Sequence, residues 1–175
     1  QLHGSERQLL TIALSEFSEP HTVSRLIGAP PGYLGHGEGG VLSEAVRQRP
    51  HTLVLLDECE KADLAVMNLF YQVFDKGNLV DSDGRVIDFR NTLIILTSNL
   101  AADTITELHR HGAPTLTELR AAIEPILAKH FRPALLARMT VVPYRPLTAE
   151  TLRAVAAIKL RTLADRLRRA HALET

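Results

Sequence analysis

Apolar residues are arranged in this chain in two ways, as short unbroken runs and at helical spacing, and several of the runs end in acidic or amide side chains. Leu9, Leu10, Ile12 and Leu14 form the first run and predict a strand within residues 7–14. Val41, Leu42, Ala45 and Val46 share one face of a helix predicted over 41–49. Thr52-Leu53-Val54-Leu55-Leu56 is unbroken and stops at Asp57-Glu58, and Leu93-Ile94-Ile95-Leu96 repeats the pattern before Thr97-Ser98-Asn99. Unbroken runs predict strands covered on both faces, as in a parallel sheet between helices. Residues 64–74 return to helical spacing and close at Gly77, and 78–88 reads as two short strands around the turn Asp81-Ser82-Asp83-Gly84.

The second half is mainly helical. Thr115 with Glu118 is a capping-box pattern that opens a helix toward His130, and Pro133 interrupts before Leu135-Leu136. Val141-Val142 reads as a brief strand. From Thr148, an N-cap, a helix is expected to about residue 172, with Leu152, Val155, Leu160, Leu163 and Leu167 in a stripe. Residues 23–40 hold six of the ten glycines and the pair Pro30-Pro31, so Ala29 to Gly37 is expected to be a loop with unusual backbone angles. Strands alternating with helices predict an α/β fold with a mainly parallel sheet.

Composition narrows the function classes. The 175 residues are 45% apolar and 23% charged, which fits an ordinary globular chain. Twenty basic residues balance twenty acidic ones, which removes the basic excess of a nucleic-acid or membrane-surface protein. No apolar run approaches the roughly 20 residues of a membrane span, and the polar start does not read as a signal peptide. The lone Cys59 allows no internal disulfide. A cytoplasmic protein without membrane insertion or nucleic-acid contact is expected.

In open parallel sheets ligands bind beyond the carboxyl ends of the strands, which singles out Asp57, Glu58 and Asn99. An aspartate beside a phosphate chain places Mg²⁺ through its water shell, and a neighbouring glutamate accepts a proton from an attacking water that Asn99 orients. Alternatively Asp57 and Glu58 cap a helix running from Cys59. His109 and His111 are the only close histidine pair, and no further ligand completes a tetrahedral metal set. Arg161, Arg166, Arg168 and Arg169 read as a solvated helix face, and Cys59 as helix packing.

The string from Thr52 to Ala62 resembles the Walker B segment of AAA+ ATPases of the Clp/Hsp100 branch. Gly28-Ala29-Pro30-Pro31-Gly32-Tyr33-Leu34-Gly35 resembles that branch's substrate-gripping pore loop in its second ATPase module. Asp88-Phe89-Arg90-Asn91-Thr92, leading to Asn99, resembles its sensor segment, and Phe131-Arg132-Pro133 with Arg138 its arginine-finger region. Residues 68–77 resemble the ClpV subfamily of type VI secretion more than ClpB disaggregases. The resemblance implies ATP and Mg²⁺ as cofactors and a homo-hexamer whose central pore threads protein substrates, among them type VI sheath proteins. It implies that Asp57 holds the metal through water and that Glu58, Asn99 and Arg138 are catalytic, Arg138 acting in trans, with Arg132 as the other candidate finger. It assigns the substrate grip to Gly32, Tyr33, Leu34 and Gly35. The Asp81–Gly84 turn is either a second pore loop or a plain hairpin.

One part of the family pattern is missing. A phosphate loop of the form GxxxxGK[ST] needs lysine directly after glycine, and the four lysines here follow Glu60, Asp75, Ala128 and Ile158. In the family that loop lies just upstream of the position matching residue 1, so a truncated AAA+ P-loop-type three-layer sandwich is expected, lacking the first strand and the Walker A helix. The sheet would then carry a gap between the strand ending near Asn99 and the one near Val142. The expected division is a large subdomain over 1–147 and the first helix of a small lid subdomain over 148–175. The chain alone is expected to hydrolyse no ATP. The runner-up within the enzyme class is a ClpB-like disaggregase or a protease-associated unfoldase, and a non-catalytic ring or interaction module that cannot bind nucleotide is the reading from a different class.

Overall fold

The computed structural model describes residues 9–33, 37 and 39–171, without the side chains of 170 and 171. In chain order the elements are β1 (Leu9–Ala13), α1 (Val23–Ile27), α2 (Val41–Gln48), β2 (Leu53–Asp57), α3 (Leu64–Lys76), β3 (Asn78–Val80), β4 (Val86–Asp88), β5 (Leu93–Leu96), α4 (Ala102–Arg110), α5 (Leu116–His130), α6 (Pro133–Leu136) and α7 (Ala149–His171). They divide into two compact units, residues 1–101 with 124–140, and residues 102–123 with 141–175. Arg7 and Gln8, where the first strand was expected to begin, lie outside the described residues.

The first unit is built on a parallel sheet of order β1-β2-β5, with Leu10 opposite Val54 and Val54 opposite Ile94. Side chains alternate between the two faces of a strand. Ile12, Val54 and Leu56 on one face are almost fully buried, and they join a core with Leu42 and Val46 of α2 and with Val66, Met67, Phe70 and Val73 of α3. The other face differs from the sequence expectation. Leu53 and Leu55 are only half-buried, and their register partners Leu93 and Ile95 remain 50% and 43% exposed. An unbroken apolar run reports what both faces prefer, whereas burial depends on what covers them.

Helix α3 forms where expected and runs two residues further. Asp63 Oδ1 caps its start by accepting from the Ala65 N–H at 2.7 Å. Gly77 closes it at φ 71°, a left-handed angle that glycine adopts without steric cost. Beyond it β3 and β4 pair antiparallel, with the Asp81 carboxylate accepting from the Asp83 and Arg85 N–H groups across the turn.

In the second unit, the Thr115 hydroxyl accepts from the Glu118 N–H while the Glu118 carboxylate accepts from the Thr115 N–H, the predicted capping box. Leu119 and Ile123 of α5 are buried. Thr148 Oγ1 accepts from the Thr151 N–H and starts α7. The stripe on α7 is open, with Leu152, Val155, Leu160, Leu163 and Leu167 between 43% and 65% exposed.

Two expectations are corrected. Val141-Val142 is not a strand; residues 139–148 carry no regular structure and Val142 is 64% exposed. Two β-branched residues do not make a strand when no partner among the described residues supplies a ladder. Pro133 does not merely interrupt. It occupies the first turn of α6, where its missing N–H is no loss.

Candidate functional site

The carboxyl ends of β2 and β5 lie side by side, so the residues that end the two apolar runs are brought together from about forty positions apart. Asp57 is the last residue of β2, and its Oδ1 accepts a hydrogen bond from the Thr97 hydroxyl. The same hydroxyl accepts from the Glu58 N–H at 3.1 Å. The Cys59 N–H donates to the Thr97 carbonyl at 3.0 Å, and the Thr97 N–H donates to the Leu56 carbonyl at 2.9 Å. One threonine therefore holds residues 56–59 through four hydrogen bonds, three to their backbone and one to the Asp57 carboxylate.

Glu58 does not continue the strand. Its backbone is left-handed, φ 55° and ψ 49°, a conformation that costs a non-glycine residue about 1–3 kcal/mol and persists where its surroundings enforce it. The division of Asp57 and Glu58 between two directions thus comes from a backbone turn and not from strand alternation. The capping alternative is not realised. Glu58 precedes a short 3-10 turn, Cys59–Lys61, without a side-chain cap bond, and the cap of the following α-helix is Asp63.

The Glu58 carboxylate accepts from Lys61 Nζ at 2.9 Å. Lys61, and after it the Ser15 hydroxyl, hold the Glu58 carboxyl below its ordinary range. Glu58 is therefore ionised at neutral pH, and its acceptor strength is shared with a cation until another group displaces Lys61. Asn99 is exposed, and its N–H donates to Glu60 Oε1 at 3.3 Å. Cys59 is buried, and burial, followed by the Glu60 charge, pushes its thiol up to about 11. Such a thiol is a packing group and not a nucleophile.

Arg138 follows α6 and is held at one edge. Its Nη1 donates to the Ala134 carbonyl at 2.9 Å and its Nη2 to Asp75 Oδ1 at 2.9 Å. Arg132 lies with its guanidinium carbon 4.6 Å from the centre of the Tyr71 ring, a cation–π contact. Among the described residues no group of three or more histidine, cysteine or acidic side chains gathers to hold a metal. His109 Nδ1 is bonded to the Ile105 carbonyl, and His111 Nε2 to Glu107.

Tyr33 is 71% exposed after Gly32, whose φ is 89°. Leu34 and Gly35, expected to share its role, lie outside the described residues. The base of this glycine-rich segment is tightly built. A Cβ on Gly40 would lie 2.2 Å from the Leu26 carbonyl oxygen and 2.4 Å from the Gly28 nitrogen. The Ser82 N–H donates to the Ile27 carbonyl at 3.2 Å, so the Asp81–Gly84 turn is pinned to the start of the segment.

With this geometry in place, the sequence profile of the AAA domain family (Cdc48 subfamily) matches residues 1–142. The chain belongs to this AAA family. Chaperone protein ClpB of Yersinia enterocolitica is 47% identical over 174 residues, covering 98% of the chain and 20% of its own length. AAA+ ATPase ClpV1 of Pseudomonas aeruginosa is 49% identical over 175 residues, covering 97% of the chain and 19% of its own length. Chaperone protein ClpC4 of Oryza sativa is 43% identical over 166 residues, covering 94% and 18%. The chain thus spans about a fifth of the length of the curated relatives it matches.

Within this AAA chain the structure brings Asp57 and Glu58 together with the segment that carries Asn99, and places Arg138 apart from them, against Asp75 in the last turn of α3. Sequence reading did not single out Thr97, Lys61 or Asp75. Thr97 had a local signal, since it is the first hydrogen-bonding side chain after the apolar run of β5. Asp75 had none, because its partner lies 63 residues away.

Proposed function

We propose that this chain is part of an ATP-driven, hexameric protein unfoldase or translocase of the Clp/Hsp100 kind, in which it carries the hydrolytic residues. The observation that carries the reading is the pair Asp57-Glu58 at the end of a parallel strand with one face buried, bridged by Thr97 to the segment holding Asn99, in a chain of the AAA family. The residues fit a magnesium nucleotide. Asp57 is half-buried with Oδ1 engaged and no hydrogen bond to Oδ2 from the described residues, which leaves a hard oxygen donor open.

Bound Mg²⁺ and ATP would supply the scissile phosphoanhydride and neutralise charge on its outer oxygens. Asp57 would hold the ion's water shell, with its rotamer fixed by the Thr97 hydroxyl. Glu58 exchanges Lys61 for a water and takes its proton. Asn99 orients that water. Arg138 reaches a neighbouring subunit's site, where such an arginine contributes roughly 10³–10⁵ in rate. Gly32 and Tyr33, with Leu34 and Gly35, grip protein in the pore, and residues 148–175 open the lid subdomain. The partly exposed face of Leu53, Leu55, Leu93 and Ile95 and the absence of a Gly-Lys pair both support a longer protein that supplies the phosphate loop. The chain by itself is expected to turn over no ATP. The site of action is the cytoplasm.

The identity to ClpV1 and residues 68–77 support contracted type VI sheath as the substrate; the identity to ClpB supports aggregated protein as the second reading. Pull-down of sheath protein by the full-length protein favours the first, and rescue of heat-aggregated protein the second. The hydrolytic assignment is tested with Glu58→Gln in the full-length protein, any other ATPase module being silenced. ATP binding is expected to persist while turnover falls about 10²–10⁴-fold, the contribution of a positioned base. Unchanged steady-state turnover refutes the assignment.

A further inference from the structure

Tyr71 and Asp75 are four residues apart on α3 and therefore share one face of the helix. Each holds an arginine from the segment around α6. The Tyr71 ring lies under Arg132, and its hydroxyl accepts from the Arg132 N–H at 3.4 Å. The Asp75 carboxylate takes Nη2 of Arg138, while the Ala134 carbonyl takes Nη1. The residues line a cavity of about 570 Å³, which also receives the side of Asn68, whose buried Oδ1 has no hydrogen-bond partner.

The two arginines are held differently. Arg132 lies over an aromatic ring, with its guanidinium carbon 4.6 Å from the centre of Tyr71. Arg138 has five N–H donors in a rigid plane, and the described contacts use one on Nη1 and one on Nη2, leaving three for a further acceptor. Phe131 and Leu135, both buried, fix the backbone from which Arg138 projects. What remains variable is the long side chain itself, and an arginine loses several rotatable bonds of freedom when it is ordered. A carboxylate that orders it beforehand reduces that cost at the moment of use.

We infer that Asp75 is a positioning residue for Arg138, pre-ordering its guanidinium so that the free donors face an acceptor outside the chain, and that Arg132 is the structural arginine of the pair. The inference rests on the reading of Arg138 as the trans-acting arginine and adds to it the group that aims it. Asp75 itself touches no substrate. Its exposure of 62% and that of Arg138, 46%, leave both groups reachable from solvent, so an outside acceptor can approach the guanidinium while Asp75 holds it.

The test uses ATP turnover by the full-length assembled protein, with assembly checked by sedimentation. Asp75→Ala is expected to lower kcat about tenfold with KM for ATP unchanged, since coupled neighbours commonly interact at this level. Asp75→Glu, which restores the carboxylate, is expected to recover kcat to within about threefold of the parent. The double variant Asp75→Ala with Arg138→Ala is expected to be no slower than Arg138→Ala alone. Should Asp75→Ala disturb assembly, Asp75→Asn, which keeps the shape and one acceptor oxygen, carries the same expectation at a smaller loss. Two results overturn the inference: parental kcat in an assembled Asp75 variant whose Arg138→Ala counterpart is slow, or equal additive losses in the double variant. Parental turnover in Arg138→Ala instead overturns the reading of Arg138 on which the inference stands.

Discussion

Replacing Thr97 with valine removes one hydroxyl and leaves the shape of the side chain almost unchanged. That hydroxyl donates to Asp57 Oδ1 and accepts from the Glu58 N–H at 3.1 Å, both bonds part-buried. Valine would leave a carboxylate oxygen and a backbone donor short of a partner at the same point, where water replaces them incompletely. A hydrogen bond involving a charged group contributes about 1.5–3 kcal/mol and a neutral one about 1 kcal/mol, so a loss of about 2 kcal/mol is expected after allowance for partial solvent access. At a urea slope of roughly 2 kcal/mol/M this moves the midpoint down by about 1 M with the slope unchanged. The effect concentrates at Glu58, whose left-handed backbone loses its side-chain anchor. Equilibrium urea unfolding of Thr97→Val and Thr97→Ser, with hydrogen exchange at the Glu58 amide, is the measurement. Serine keeps the hydroxyl and should hold the midpoint near that of the parent. A Thr97→Val chain with the parental midpoint and an equally protected Glu58 amide would refute the view that this threonine holds the acidic pair in place.

The remaining predictions concern acid stability and loop geometry. Arg90, first through its side chain and then through its backbone N–H, lowers the Asp88 carboxyl to about 2 from an ordinary 3.8. A depressed folded-state value means that its stabilising effect is complete above about pH 4 and is lost as the pH falls through about 2; Asp88→Asn should flatten the pH dependence of the urea midpoint in that window, and an unchanged profile contradicts the assignment. Gly40→Ala would press a methyl against the backbone at Leu26, Ile27 and Gly28, all within 2.4 Å, and backbone has little room to yield. A loss of about 3 kcal/mol, the upper end for overpacking, is expected by urea unfolding, and a neutral result would show that the base of the glycine-rich segment rearranges freely.

How much of the site was legible in advance depended on how far apart its parts lie in the chain. The unbroken runs ending at Asp57 and before Thr97, the helical spacing of α3 with its terminal Gly77, and the Thr115–Glu118 box are local patterns, and each appeared as an element close to the expected bounds. The motifs that resemble a Clp-type AAA+ ATPase are likewise local strings, and the match of the AAA family to residues 1–142 agrees with them. Local patterns can be read because propensity, periodicity and caps act within a few residues.

Tertiary structure decided what joins distant positions. Thr97 bridges to Asp57 across 40 residues and Arg138 to Asp75 across 63, and no periodicity encodes either pairing. The left-handed turn at Glu58 is a similar case, since nothing in its residue type favours it and the bonds to Thr97 impose it. Coverage also escaped the sequence: the apolar runs of β2 and β5 read as buried on both faces, yet Leu93 and Ile95 stay open, and Val141-Val142 finds no strand to pair with among the described residues. Amino-acid preference fixes which groups seek burial or a hydrogen-bond partner, but the partner itself is supplied only when the chain folds and brings remote segments into contact.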